Sequence, residues 1–259
     1  MSQIVGAQVT CGCGAELAVE LVESLDPQRR PDLRARILDG TFHCFPCTAC
    51  GRVTRVDRRF AYLDFERRHW FIVFPEAELP WRKERVALVE ASFRTTMVEH
   101  APPIVRSWAP EMLRRVIFGV AALRATLAAL DAGLDDRRVQ LLALELRDEL
   151  RLGHDGHAYL HLASARPPES ITFAWAPAGT METLPLTVPY ERFAATLALE
   201  EAEAQRRAPR LWSAGICVDH RVELIEEAAP RPPDDLPAGT PMPANITPAD
   251  DGRGEGYPP

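Results

Sequence analysis

The sequence has no long apolar run and no surplus of positive charge. No stretch approaches the roughly 20 apolar residues that a membrane-spanning helix needs, and the first ten residues lack the features of a secretion signal. The formal net charge is -7, with 30 Lys and Arg against 37 Asp and Glu, whereas a protein that binds a phosphate backbone is generally basic. We therefore expect a cytoplasmic protein with no membrane segment.

Motifs of common catalytic sites are missing as well. The sequence has no Gly-x-Ser-x-Gly nucleophile elbow, no glycine-rich phosphate loop ending in Lys-Ser/Thr, and no His-Glu-x-x-His helix. It therefore identifies no reaction, and a non-catalytic role is favoured over an enzyme.

Cysteine is scarce outside the first fifth of the chain. Of the 6 cysteines, five stand at positions 11, 13, 44, 47 and 50, and Cys217 stands alone in an apolar segment, as a small core residue would. In a reducing compartment, such clustering indicates metal binding rather than a disulfide framework.

Two short cysteine motifs have the spacing of a structural metal site. Cys11 pairs with Cys13 and Cys47 with Cys50, and a glycine follows the second cysteine of each pair. Glycine lets the chain turn away at little steric cost while backbone amides approach the thiolates. Structural zinc sites commonly take two ligands from each of two tight turns, so the sequence predicts one zinc ion bound by these four cysteines. Four thiolates also bind iron, and they leave no position open for a substrate.

Two neighbouring residues are alternative ligands. Cys44 and Cys47 repeat the spacing of the second pair, and His43 lies beside them. Side chains alternate along a strand, so Cys44 is expected to face the core together with Phe42, while His43 faces the other way. Substitution of Cys44 or His43 for one of the four ligands stays open at this point.

The hydrophobic pattern changes along the chain and predicts an α+β fold. Residues 1–85 read as short alternating strands around one helix, which begins at Pro31 and ends before Gly40. We expect them to form a small zinc-ribbon-like antiparallel β unit. Residues 86–228 read as a helical-plus-β unit, with helices predicted over 86–100, 113–130, 139–150 and 190–207 and strands over 159–163, 171–175, 184–188 and 216–225. Residues 229–259 are rich in proline and poor in apolar residues, which predicts a disordered tail.

A family resemblance adds to this interpretation. Its residues are the two cysteine motifs, the segment 26–33, Ile37-Leu38-Asp39-Gly40, Tyr62-Leu63-Asp64 and, later, the segments 115–119 and 132–137. In these residues the chain resembles the bacterial CpXC family, named for its cysteine motifs, although Gly12 and Thr48 replace the proline that is usual inside them. The resemblance implies a zinc-binding module with no established biochemical activity.

Three functions are compatible with these features. The favoured one is a zinc-binding, non-catalytic module for protein interaction or regulation, whose partner is a protein and whose oligomeric state the sequence does not indicate. The first alternative is a nucleic-acid-binding zinc ribbon, which predicts a shared basic face made of Arg52, Arg55, Arg58 and Arg59. The second is a metal-dependent enzyme with a site at His154, His157 and His161.

Overall fold

The computed structural model of the chain describes residues 2–152, 159–166, 168–176 and 184–226. Their fold is α+β, as the sequence predicts. No helix among these residues is both long and apolar enough to cross a membrane. The predicted disordered tail, residues 229–259, lies outside the described residues.

Ten strands and eight α-helices follow one another along the described residues. The strands are β1 Gln3–Thr10, β2 Glu16–Leu25, β3 Cys44–Pro46, β4 Val53–Arg55, β5 Phe60–Asp64, β6 His69–Phe74, β7 Leu113–Phe118, β8 Tyr159–Arg166, β9 Ser170–Ala176 and β10 Leu184–Pro189. The helices are α1 Pro31–Asp39, α2 Arg82–Phe93, α3 Pro103–Arg106, α4 Val120–Asp131, α5 Asp136–Glu149, α6 Tyr190–Leu197, α7 Glu201–Arg207 and α8 Pro209–Ser213. Short 3-10 turns and a π-helical turn, Arg94–Glu99, complete the described elements.

The main sheet has five strands in the order β1-β2-β5-β6-β7. The pairs β1–β2 and β5–β6 run antiparallel, whereas β2–β5 and β6–β7 run parallel. The sheet is therefore mixed, and the expectation of a purely antiparallel β unit is wrong. The parallel pairs join strands that are far apart in sequence, which the local alternation of apolar residues does not reveal.

Strand β6 lies near the centre of this sheet and is buried on both faces. One face, with Trp70 and Ile72, packs in a core that includes Phe93 of α2. The opposite face, with Phe71 and Val73, packs in a second core that includes Leu123 of α4. All six residues of β6 are buried, as in strands that are covered on both sides.

Strand β7 contradicts the helix predicted over 113–130 and also concerns the predicted boundary near residue 85. The segment 113–130 was expected to be one helix, but Leu113–Phe118 is a strand and α4 begins only at Val120. Spaced apolar residues suit either structure, and pairing with β6 decides between them. Because β7 lies beyond residue 85, the main sheet crosses the predicted boundary between the two units. Whether residues 1–85 fold by themselves stays a prediction.

A second sheet lies in the later part of the chain. It has three antiparallel strands in the order β10-β9-β8 and packs with α4, α5 and α6 around Phe173 and Phe193. These strands confirm the three predicted near 159, 171 and 184, and the predicted helix over 190–207 is divided into α6 and α7. The last predicted strand, 216–225, is wrong. Only an isolated bridge joins Cys217 to Val116, and a 3-10 turn follows.

Local sequence signals set the ends of two helices. Pro31 is the first residue of α1. Gly40 comes directly after the last residue of this helix and has the left-handed conformation, with φ 81°. The carboxylate of Asp135 caps α5 by accepting hydrogen bonds from the backbone N–H groups of Arg137 and Arg138. Both devices satisfy or redirect backbone groups that a helix end leaves unpaired.

Candidate metal centre

The four predicted ligands lie at the tips of two β-hairpins. The turn that joins β1 to β2 carries Cys11 and Cys13, and the turn that joins β3 to β4 carries Cys47 and Cys50. The first hairpin is an outer part of the main sheet, while β3 and β4 form a separate two-stranded sheet. A centre built from these turns therefore joins two pieces of β-structure.

The two turns have the same construction apart from one residue. In the first, the N–H of Cys11 donates to Ala15 O and its carbonyl accepts from Gly14 N, both at 2.8 Å. In the second, the N–H of Cys47 donates to Arg52 O and its carbonyl accepts from Gly51 N, both at 2.8 Å. Each closing bond spans one residue more in the second turn, which matches the additional residue between its cysteines.

The sulfur atoms have the separations of a tetrahedral ligand set. The Sγ atoms of Cys11 and Cys50 lie 3.7 Å apart, and so do those of Cys13 and Cys47. All four sulfur atoms lie within 4.8 Å of one another. A zinc–thiolate distance of about 2.3 Å implies an S–S edge of about 3.8 Å in a regular tetrahedron. The four side chains therefore fit a single metal ion, and each hairpin contributes one sulfur to each close pair.

Burial differs between the cysteines of each pair. Cys11 and Cys47 are buried, with 3% and 2% of their surface exposed, whereas Cys13 and Cys50 are exposed. The buried pair belongs to a small apolar cluster with Leu17 and other residues of the hairpins. This cluster is separate from the larger cores. A metal ion held by the four cysteines would therefore add cohesion between the two tips.

Charges and hydrogen bonds set the thiol pKa values in different directions. Nε of Arg52 lies 3.5 Å from Cys50 Sγ, and this contact is the largest cause that lowers the pKa of Cys50 to about 6. The Ala15 N–H lowers the pKa of Cys13, but the neighbouring thiols of Cys50 and Cys11 outweigh it and raise that pKa to about 11. The first thiol proton therefore leaves easily and the last does not. A bound cation would displace such protons, because metal ligands are thiolates.

The remaining cysteines and His43 lie elsewhere. The Cys44 thiol donates to the carbonyl oxygens of Gly40 and Phe42, at 3.6 Å each. His43 is buried, with Nε2 2.9 Å from the N–H of Val22. Neither residue joins the cysteine group among the described residues. Nor does Cys217, which is fully buried.

The arginines and histidines that the two alternative functions require are not brought together as the four cysteines are, among the described residues. Of the four arginines, Arg52 contacts Cys50, Arg58 forms an ion pair with Glu23, and Arg59 lies over the ring of Phe74. Three of these guanidinium groups are thus engaged at separate places. His161 is buried in β8, while His154 and His157 lie outside the described residues.

Two residues named in the sequence analysis make contacts that the sequence did not predict. The first is Arg52, whose guanidinium supplies positive charge beside the exposed thiol of Cys50. Its position, two residues after a cysteine, is a signal that could have identified it. The second is His43, whose φ of 53° breaks the strand alternation on which its predicted orientation depended.

Comparison with known proteins gives one match. A family model described as CpXC protein matches residues 9–143, just over half of the chain and the whole of both cysteine motifs. No curated protein and no solved structure matches the chain.

Proposed function

The chain belongs to the CpXC family, and we propose that it is a zinc-binding, non-catalytic module for protein interaction or regulation. One observation carries the proposal: the four cysteine sulfurs come from two hairpin tips and have the separations of a tetrahedral set. Zinc is the ion that structural sites of this kind most often hold. Reduced thiolates require a reducing compartment, and we place the protein in the cytoplasm.

The chemistry of the donor set supports a structural role. Four thiolates fill the coordination shell of a tetrahedral ion, which leaves no position for a water molecule or a substrate. Cys11, Cys13, Cys47 and Cys50 would hold the ion, and its charge would keep all four as thiolates. The ion then supplies binding free energy that holds the β3–β4 hairpin against the end of β1–β2.

The β3–β4 hairpin is the surface that we assign to a protein partner. Val53 of β4 is 56% exposed, and it stands beside the cysteine turn. The hairpin has only two strands among the described residues, so each has an edge with main-chain groups that an added strand could pair with. Metal binding would fix the position of this hairpin and thereby control access to it.

Elemental analysis of the purified chain tests the metal. We expect one zinc per native chain, loss of that zinc in Cys11→Ser and Cys50→Ser, and its retention in Cys44→Ser. Cys44 is the matched control because it lies in the same segment and outside the cysteine group. Iron in place of zinc, with its visible absorption, would refute the choice of metal, and a native chain without metal would refute the centre itself.

Photo-crosslinking tests the partner. A photoreactive residue at position 53 should capture a discrete protein in cells, and the same residue at position 184 should not. Leu184 is 51% exposed and lies at the edge of the second sheet, so it controls for exposure. The product should disappear when Cys50→Ser is added. Capture of nucleic acid at position 53 would instead favour the zinc-ribbon alternative.

A further inference from the structure

A cavity of about 680 Å³ lies apart from the cysteine centre, because none of its lining residues belongs to the apolar cluster around Cys11 and Cys47. Its walls come from the first turns of α2 and from the segment that runs from α8 to Cys217. Small-molecule sites in proteins commonly have volumes of about 300 to 1,000 Å³. The cavity is therefore large enough for a small organic molecule.

Arg82 is the unusual residue in this wall. Only 8% of it is exposed, and it lines the cavity at the first position of α2. Its Nη1 is buried without a hydrogen-bond partner. Within the described part of the chain, its guanidinium makes no hydrogen bond and no ion pair. An arginine held in a protein wall is normally paired, because the loss of its hydration is costly.

Most charged residues of the described lining have the same sign as Arg82. Lys83 and Arg210 also line it, and Glu226 is the one acidic residue among its described lining. The Cys217 thiol is in the wall too, but burial raises its pKa, so it stays neutral and adds no negative charge. Among the described lining residues, the cationic side chains of Arg82 and Arg210 face one carboxylate, and the apolar side chain of Val86 lies among them.

We propose that this cavity binds a small organic anion, with its carboxylate or phosphate group at Arg82 and its apolar part against Val86. A guanidinium matches both groups, because two of its parallel N–H bonds can meet two oxygen atoms of one anion. Arg210, which also lines the cavity, adds to its positive potential. The bound anion supplies the charge partner that Arg82 lacks among the described residues.

Calorimetric titration of the full chain tests this site. The probes are hexanoate and hexyl phosphate, with hexanol as the uncharged probe of equal length and inorganic phosphate as the anion without an apolar part. Both organic anions should bind, and hexanol should not. Arg82→Gln should weaken their binding at least about tenfold, since a charged hydrogen-bond partner is lost, and Arg82→Lys should retain part of it. Tighter binding of hexyl phosphate than of hexanoate would identify a phosphate ester as the ligand class.

Arg59→Gln is the matched control. Arg59 is also partly buried and lies over Phe74, away from the cavity lining, so this variant should bind the probes as the native chain does. A second readout separates binding from folding: in the absence of anions, Arg82→Met should melt no lower than the native chain, because it removes an unpaired buried charge. Equal binding by the native chain and Arg82→Gln, or no binding of either organic anion at millimolar concentration, would overturn the proposal.

Discussion

The backbone N–H of Val22 donates a hydrogen bond of 2.9 Å to Nε2 of His43. This bond joins β2 of the main sheet to the loop that leads into the second cysteine hairpin. Because Nε2 accepts, the imidazole is neutral in this arrangement, with its proton on Nδ1. His43 also stacks on Phe42, with ring centroids 4.1 Å apart, so the ring is fixed on two sides.

The buried imidazole makes stability depend on pH. Burial, followed by the charges of Arg58 and Arg36, lowers the pKa of His43 from about 6.5 to about 4. Between these values the unfolded chain binds a proton that the folded chain does not. The contribution of His43 to the free energy of unfolding is therefore highest above about pH 6.5 and decreases as the pH falls towards 4. At pH 5 the decrease due to His43 is about 2 kcal/mol. Urea unfolding from pH 7.5 to 5 measures it.

His43→Gln is the comparison for this prediction, because glutamine offers an acceptor to Val22 but does not titrate. The native chain and the variant share the cysteine centre, so the difference between their free energies of unfolding isolates His43. That difference should move in favour of the variant as the pH falls. An unchanged difference over the whole range would mean that His43 carries no pH dependence.

Glycine at the end of the second cysteine turn should be required for its backbone conformation. Gly51 has φ 72°, and no heavy atom lies within 4 Å of a Cβ placed on it, so only the backbone opposes a side chain there. Gly51→Ala should lower the free energy of unfolding by about 1 to 2 kcal/mol. Gly12→Ala is the control, since Gly12 has no positive φ and its nearest neighbour would be Arg52 Nη1 at 4.0 Å. Equal losses in the two variants would contradict this account.

Local signals in the sequence predict local structure well. Proline and glycine mark both ends of α1, as the sequence predicts. The cysteine turns are equally local, since spacing and a following glycine define each of them. The structure brings these two turns together, as expected from their shared ligand chemistry.

Contacts between residues far apart in sequence explain the main errors in the predicted secondary structure. Leu113–Phe118 is a strand because β6 lies beside it, and β6 is about forty residues away in sequence. The segment 216–225 contains buried apolar residues such as Cys217 and Val222, yet it pairs with Val116 at only one bridge. In that segment Arg221 instead binds Asp219 and the carbonyl of Phe118, which holds the chain in a 3-10 turn. The spacing of apolar residues in these two segments does not reveal such contacts with distant parts of the chain.

Removal of the metal should loosen the hairpins more than the main core. The tips depend on the small cluster around Cys11 and Cys47, whereas β6 is enclosed by large cores on both faces. With a strong chelator, the melting temperature should fall by about 10 °C or more, because several kcal/mol of metal-binding free energy are lost. Hydrogen exchange should increase first in β3 and β4. Addition of zinc should restore the melting temperature and the slow hydrogen exchange of β3 and β4. A metal-free chain with unchanged melting temperature and exchange would disprove the role of the ion.

A fragment that ends at residue 85 should fail to fold, even with zinc present. Strand β6 would lose its parallel neighbour β7 and part of the cover of each face, namely Val89 and Phe93 of α2 on one side and Leu123 of α4 on the other. Apolar surface of its buried residues would then be exposed on both faces, although Leu33 and Ile37 of α1 would still pack in the second core, and such exposure favours aggregation. We expect no cooperative melting and poor dispersion in the amide spectrum of residues 1–85, whereas residues 1–226 should give the spectrum and zinc content of the full chain. A zinc-loaded 1–85 fragment that melts cooperatively would instead show that the sequence-based boundary near residue 85 separates two units that fold independently.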